Sequence, residues 1–415
     1  MIDYKFSPLF ENPTPSPIRA LAKYMREPGM ISFGGGFPDP NLFDVEGLNE
    51  AQARAYQGSR ACLAYGPTEG TPQIKAEVVR LMQKRGAITQ PEKIIVTTGS
   101  QQAFDLVLRV LVAAGDRVFV EEPTYSTNIQ AINNYQARIT SIPVDADGLD
   151  VHVLEHMLTE ARKLGDLPKL LYTIPTFSNP SGATLTKDRR LRLLELAVEY
   201  GFVIIEDDPY GDLRFSGEPV PSLLALTSQV TASDACVVHL ASLSKIIAPG
   251  LRVAWAIAPS EIQRRCAIAK ESADFGSSPW TQNIVAEYLA SDRLDGHVAT
   301  ICAAYGAKCR ALASGLRNSL GNAISFHEPS GGMFIWARLN GGVTASELLQ
   351  ESIPRHVIFV PGEGFHAETP DPTTLRLSFV QPTLENVAEG ASRLGQAFQA
   401  AEAAQTVRGI RSATQ

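Results

Sequence analysis

Ser242, Ser244, Lys245 and Arg252 stand between two apolar runs, 237–241 and 253–258, with the arginine seven residues after the lysine. Two cations at the mouth of a sheet point to a small anion together with a group that reacts with an amine, and a phosphate-bearing aldehyde supplies both. Lysine forms a Schiff base with an aldehyde once desolvation or a neighbouring cation lowers its pKa. Arg252 brings such a charge while gripping phosphate through two parallel N–H donors. The same stretch also reads as a solvated loop lysine followed by a surface arginine, since short motifs match by chance.

Polar side chains follow the other apolar runs too. Asn179 comes shortly after 170–174, Glu206 to Asp208 and Tyr210 come directly after 202–205, and Ser100 and Gln101 follow 94–97 through Gly99. Ser100 opens a helical pattern (Ala103, Leu106, Val107, Val110, Leu111), where unpaired N–H groups and the helix dipole favour an anion. A serine there is equally an ordinary cap. The segment 94–120 therefore reads as strand, glycine turn, helix, strand, a βαβ unit. Near-continuous apolar strands alternating with helical patterns such as Leu191, Leu194, Ala197 and Val198 predict an α/β fold. Its sheet is mostly parallel and covered by helices on both faces, with ligands beyond the carboxyl ends of the strands.

At 415 residues the chain is too long for one ordinary core and suggests two domains, or one with a smaller companion. Residues 1–44 form an N-terminal arm and the first part of the small domain, 45–275 the large α/β domain and 276–400 a smaller α+β domain. Residues 401–415, where apolar periodicity fades, form a disordered tail. Pro13, Pro15 and Pro17 force an extended path in the arm. Gly34, Gly35 and Gly36 permit unusual φ and close backbone approach, or make a plain turn. Thr71 and Pro72 suit the N-cap and first position of a helix carrying Ile74, Val78, Leu81 and Met82 on one face.

Composition narrows the function. The chain is 44% hydrophobic and 20% charged with a formal net charge of -7, and it has no basic run, so nucleic acid is not an expected partner. It shows no signal-peptide pattern and no apolar stretch near the ~20 residues of a membrane span, so a cytoplasmic location without membrane attachment is expected. Five scattered cysteines without a C-x-x-C pair indicate neither a disulfide framework nor a zinc site. His152 and His156 lack a third ligand and read as a solvated helix face; no metal is expected.

Taken together, Ser100, Gln101, Tyr125, Asn179, Asp207, Tyr210, Ser242, Ser244, Lys245 and Arg252 resemble, in order and spacing, the pyridoxal-phosphate site of the class I aminotransferases. The resemblance extends from residue 13 to about residue 396. Residues 15–19 and 32–38 look like the subgroup that contains the 2-aminoadipate (LysN-type) and kynurenine aminotransferases. The resemblance implies that Lys245 carries the cofactor, pyridoxal 5'-phosphate, as an internal aldimine and then shuttles the proton at the substrate Cα. Asp207, chosen over Asp208 because it lies three before Tyr210, faces the pyridine nitrogen. Asn179 and Tyr210 bond the ring oxygen and Tyr125 stacks on the ring or is a core tyrosine. Ser100, Gln101, Ser242, Ser244 and Arg252 hold the phosphate, with Tyr65 reaching in from the partner of a homodimer. Arg376 clamps the substrate α-carboxylate, Gly36 lets the arm approach the substrate, and Arg19 either meets a distal carboxylate or pairs at the dimer surface. Ala254 departs from the glycine expected there.

The implied activity is transamination between an L-amino acid (2-aminoadipate, kynurenine, aromatic or branched-chain type) and a 2-oxo acid such as 2-oxoglutarate. Two alternatives stay open. The same site serves β-elimination or decarboxylation, and aminotransferase-like modules also occur fused to DNA-binding heads, for which the arm so close to residue 1 leaves no room.

Overall fold

The computed structural model describes residues 4–11, 19, 21–57 and 60–413. The proline-rich stretch 12–18 of the expected arm lies outside them. After a short strand β1 (Ile31–Ser32), eight strands build the central sheet: β2 (Ile94–Thr97), β3 (Arg117–Glu122), β4 (Arg138–Asp145), β5 (Gly148–Leu149), β6 (Leu170–Thr173), β7 (Val203–Asp208), β8 (Val237–Ser242) and β9 (Ala254–Ile257). They lie in the order β2-β9-β8-β7-β6-β3-β4-β5. The run from β8 to β4 is parallel, whereas β9 is antiparallel to both β2 and β8, and β5 to β4.

Strand alternation feeds two cores, one on each face. Along β3, Val118 and Val120 enter one core and Phe119 the other; along β6, Leu170 and Tyr172 join the first and Leu171 the second. This is the period-2 rule applied to strands covered on both sides, and each fully buried side chain of this size contributes about 1.5–3 kcal/mol. The helix Ser100–Leu111 lies over the first face, where Phe104 meets the Tyr172 ring edge-on at 4.9 Å. On the second face the helix Lys187–Tyr200 buries Leu193, Leu194, Leu196 and Ala197; Val198, expected inward, is 38% exposed.

A second sheet of β10 (Ile324–Phe326), β11 (Phe334–Leu339), β13 (Val360–Pro361) and β14 (Thr374–Ser378) is antiparallel throughout, in the order β10-β11-β14-β13. Strand β12 (Val357–Ile358) pairs in parallel with β1, Ile31 opposite Val357. Beyond β1 the chain continues along β14, since Ser378 N donates to Phe33 O at 2.7 Å. These ties bring residues 34–36 beside β14. Two long helices, Leu294–Leu320 and Leu384–Ala413, close this part of the molecule. They approach so closely that a Cβ on Gly315 would stand 2.7 Å from Ala391 Cβ.

Several expectations are corrected. β2 and β3 are not neighbours: four strands from later in the chain stand between them, so the segment 94–120 crosses the sheet rather than forming an adjacent βαβ pair. The last helix runs through residues 401–413, which the fading apolar pattern places in a disordered tail; its first turns are held by burial of Ala391, Leu394, Ala397, Phe398 and Ala401. Thr71 does precede the helix Pro72–Lys84, but its side chain makes no cap hydrogen bond. Gly34, Gly35 and Gly36 have no positive φ. Their use is close approach: a Cβ on Gly36 would meet Phe334 Cζ at 2.9 Å.

Candidate active site

One cavity of about 640 Å³ opens at the carboxyl ends of β6, β7 and β8. It is lined by Arg19, Gly36, Ser100, Gln101, Tyr125, Asn179, Asp207, Tyr210, Ser242, Ser244, Lys245, Arg252 and Arg376, so every residue singled out from the sequence is here except Tyr65. Tyr65 is 90% exposed and belongs to a separate surface hollow, where it meets Phe275 edge-on at 5.2 Å. Arg19 lines the cavity from an exposed position.

The anion-binding end is built from backbone geometry. Gly99, at φ 91°, turns the chain from β2 into the helix Ser100–Leu111, and a Cβ there would collide with the Arg252 guanidinium. Arg252 itself sits in the left-handed region at φ 51°. Its Nη2 donates to Thr98 O at 3.1 Å, which holds the guanidinium beside the helix N-terminus. Ser242 Oγ donates to Ser244 Oγ at 2.9 Å and accepts from Ser244 N at 3.1 Å. An arginine, a helix N-terminus and two coupled hydroxyls make a phosphate-sized anion site.

The opposite end carries a buried carboxyl and a second arginine. Asp207 Oδ2 accepts from Tyr172 OH at 2.9 Å, while Oδ1 is buried and has no hydrogen-bond partner among the described residues. Burial pushes this carboxyl up to about 6 against the Tyr172 bond, which pulls it down. Asn179 Nδ2 donates to Tyr210 OH at 3.4 Å, and Asn179 Oδ1 accepts from Arg376 Nη1 at 2.8 Å. Arg376 Nη2 donates to Gly34 O at 2.8 Å. The fully buried guanidinium lies between two rings, its Cζ 4.3 Å from the Phe334 centroid and 4.9 Å from that of Phe365.

Lys245 reaches between these ends, its Nζ donating to Gly36 O at 2.8 Å. Burial, then the charges of Arg376 and Arg252, bring its amine down to about 8, against a smaller opposing pull from Asp207. About one lysine in ten is then neutral at pH 7, against well under one in a thousand for a free side chain. A measurable consequence follows. The rate at which the Lys245 amine adds to a small aldehyde probe rises about tenfold per pH unit below 8 and levels off above it. A rise continuing unbroken to pH 10 contradicts the depressed amine.

Sequence reasoning missed the rings and Tyr172. Phe334 reads as one more apolar position of a strand, and Tyr172 as one residue of a buried run. Pairing across strands, Trp336 with Arg376 and Tyr172 with Ile205, brings Phe334 and Tyr172 to the site, and Phe365 arrives at the end of the short helix Gly362–Phe365.

The cavity thus brings together Lys245, the buried Asp207 carboxyl and the arginines Arg252 and Arg376. Residues 30–394 match the model of the aminotransferase class I and II family, and the chain belongs to that family. It is 38% identical over 383 residues to aromatic-amino-acid aminotransferase 1 of Thermococcus litoralis, covering 92% of this chain and 91% of that protein. The crystal structure of Pyrococcus horikoshii kynurenine aminotransferase superposes with a TM-score of 0.90 at 36% identity, covering 95% of this chain and 96% of that one. LysN, the α-aminoadipate aminotransferase of Thermus thermophilus, complexed with N-(5'-phosphopyridoxyl)-L-leucine, gives 0.87 at 35% identity over 96% of this chain and 98% of its own. The protein is an aminotransferase, and its cofactor is pyridoxal 5'-phosphate.

Proposed function

We propose that this enzyme moves the amino group of an L-amino acid of aromatic, kynurenine or 2-aminoadipate type onto a 2-oxo acid such as 2-oxoglutarate. The observation that carries the reading is Arg376, buried and fixed by Asn179 and Gly34 in the same cavity as Lys245. A planar fork held this way suits an α-carboxylate, which takes two parallel charge-assisted bonds. Above it, Met25, Phe37 and Phe334 offer apolar surface, with Arg19 and Arg26 beside them. That combination suits a long side chain with an apolar body and a polar or acidic end.

The residues present fit the cofactor. Asp207 Oδ1, buried without a partner, is the acceptor a protonated pyridine nitrogen needs, and the cup of Ser100, Gln101, Ser242, Ser244 and Arg252 is an anion site with no carboxylate of its own. Bound there, pyridoxal 5'-phosphate supplies an aldehyde that takes up the amino nitrogen and a ring that stores the electron pair of the broken Cα–H bond. Lys245, with its lowered pKa, accepts the proton from Cα and returns it on the other side of the transfer. With the cofactor bound, Asp207 would hold positive charge at the ring nitrogen, Asn179 and Tyr210 would hydrogen-bond the ring oxygen, and Tyr125 would lie against the ring.

A homodimer in which Tyr65 enters the partner's cavity is supported by the exposed apolar surface around it, formed by Leu63 and Phe275. A division near residues 44 and 275 is supported by the separation of the eight-stranded sheet, within 94–257, from the four-stranded sheet, within 324–378. A cytoplasmic location is supported by five cysteines that form no disulfide. Among the described residues no helix is long and apolar enough to cross a membrane.

The substrate class is tested by mixing cofactor-loaded enzyme with single amino acids, without acceptor, and following the cofactor absorbance. Kynurenine, phenylalanine and 2-aminoadipate should convert the cofactor to its amine form faster than alanine or lysine. Equal rates across all five would remove the assignment of the apolar and basic upper wall.

A further inference from the structure

The mechanism leaves a buried carboxyl unused. Glu121 is 2% exposed and lies two residues after Phe119 along β3, on the sheet face away from Asp207 and Tyr172. Its Oε1 accepts from Thr173 Oγ1, its Oε2 from Ser178 Oγ at 3.0 Å, and a backbone N–H from Ile174 adds a third donor. None of these partners is a cation, and burial pushes the group up to about 7 despite the three donors. A carboxyl in such surroundings is unfavourable unless its hydrogen bonds achieve something. Cross-strand neighbours carry the same polar band further, with Thr173 opposite Glu206 and Glu206 opposite His239. Of these, Glu121 is the one whose side chain bonds the loop carrying Asn179.

That loop is closed by Ser178 itself. Ser178 N donates to Ala183 O at 2.9 Å and Gly182 N donates to Ser178 O at 2.7 Å, so the hydroxyl on Glu121 ties the closed part of the loop to the sheet, while Arg190 Nη2 holds the residues before it through Pro175 O at 2.7 Å and Thr176 Oγ1 at 2.8 Å. The next residue, Asn179, holds Arg376 on one side and Tyr210 on the other. We propose that Glu121 is a positioning residue: by fixing the Ser178 hydroxyl it places Asn179, and through Asn179 the Arg376 guanidinium that receives the substrate carboxylate. This rests on the assignment of Arg376 made above. Thr173, bound to the same carboxylate from within a strand, makes no side-chain hydrogen bond to Asn179 or Arg376.

The experiment uses cofactor-loaded enzyme and two readouts, steady-state kinetics and calorimetric binding of a plain carboxylate, 3-phenylpropionate. Ser178→Ala and Glu121→Met each raise the amino-acid KM and the 3-phenylpropionate Kd about tenfold with kcat changed less than about threefold, the signature of lost uniform binding. Thr173→Val stays within about twofold on both, and the Glu121→Met/Ser178→Ala double variant is no worse than the stronger single one, because both changes cut one link. Wild-type values for Ser178→Ala, or a Thr173→Val effect as large as that of Ser178→Ala, overturn the proposal; this comparison stands even where Glu121→Met fails to fold. Arg376→Lys in the same titration reads the parent assignment. An unchanged Kd there removes the carboxylate site and this proposal with it, whereas a raised Kd there beside wild-type values in Ser178→Ala overturns the Glu121 proposal alone.

Discussion

Lys245→Ala is expected to lower the single-turnover rate of amino-group transfer at least about 10³-fold, because the base proposed above is lost together with the amine proposed to hold the cofactor. The variant should still retain pyridoxal 5'-phosphate, since the proposed phosphate donors lie on other residues: the start of the helix Ser100–Leu111, the Ser242–Ser244 pair and Arg252. Loss of rate with cofactor retained is the combination to look for in a stopped-flow absorbance experiment. A rate within tenfold of the parent would assign proton transfer to another group. The nearest basic side chains in the cavity, Arg376 and Arg252, are poor candidates, because guanidinium groups do not give up protons near neutral pH.

Arg376→Lys is expected to raise the KM of both the amino acid and the 2-oxo acid by on the order of 10²-fold, about 3 kcal/mol of transition-state binding. The change keeps the charge, so its effect isolates geometry. A lysine offers a point charge where the fork makes two directed bonds, leaves Asn179 Oδ1 and Gly34 O without one of their present donors, and stacks poorly between Phe334 and Phe365. Initial-rate kinetics with each substrate varied in turn would show it. If only the amino acid is affected while the oxo acid keeps its KM, the two substrates do not share one carboxylate site.

The features of this protein that local sequence reveals are those set by burial. Strands β2, β6, β8 and β9 are covered on both faces and therefore appear as unbroken apolar runs, and the polar residues just beyond them stand out for that reason. Strand β4 does not appear in this way. Its Arg138, Thr140, Ser141 and Pro143 are exposed or half-exposed beside the small edge strand β5, so its composition resembles a loop. Strand order is also hidden, because β2 and β3 are separated by strands that follow later, and nothing in residues 94–120 encodes that insertion.

The site divides along similar lines. Lys245, Asp207, Asn179 and Arg252 can be located because each occupies a strand end with its own local signature. The Arg376 position became interpretable only through the family resemblance; in isolation it is an arginine in a strand. Phe334, Phe365, Tyr172 and Glu121 acquire their meaning from partners dozens or hundreds of residues away, as with Tyr172 on Asp207 and Phe334 on Arg376. Tyr65 behaves differently again, since it faces outward and its proposed use depends on a second copy of the chain.

Tracing nitrogen addresses the central claim most directly. Cofactor-loaded enzyme is given ¹⁵N-labelled kynurenine or phenylalanine with unlabelled 2-oxoglutarate, and the products are read by mass spectrometry. Transfer through this cavity predicts that the label appears in glutamate, one for each amino acid consumed, and that consumption stops once the enzyme-bound cofactor is converted if 2-oxoglutarate is left out. Label released as free ammonium at a rate that does not depend on the acceptor would contradict the account and make the protein a lyase.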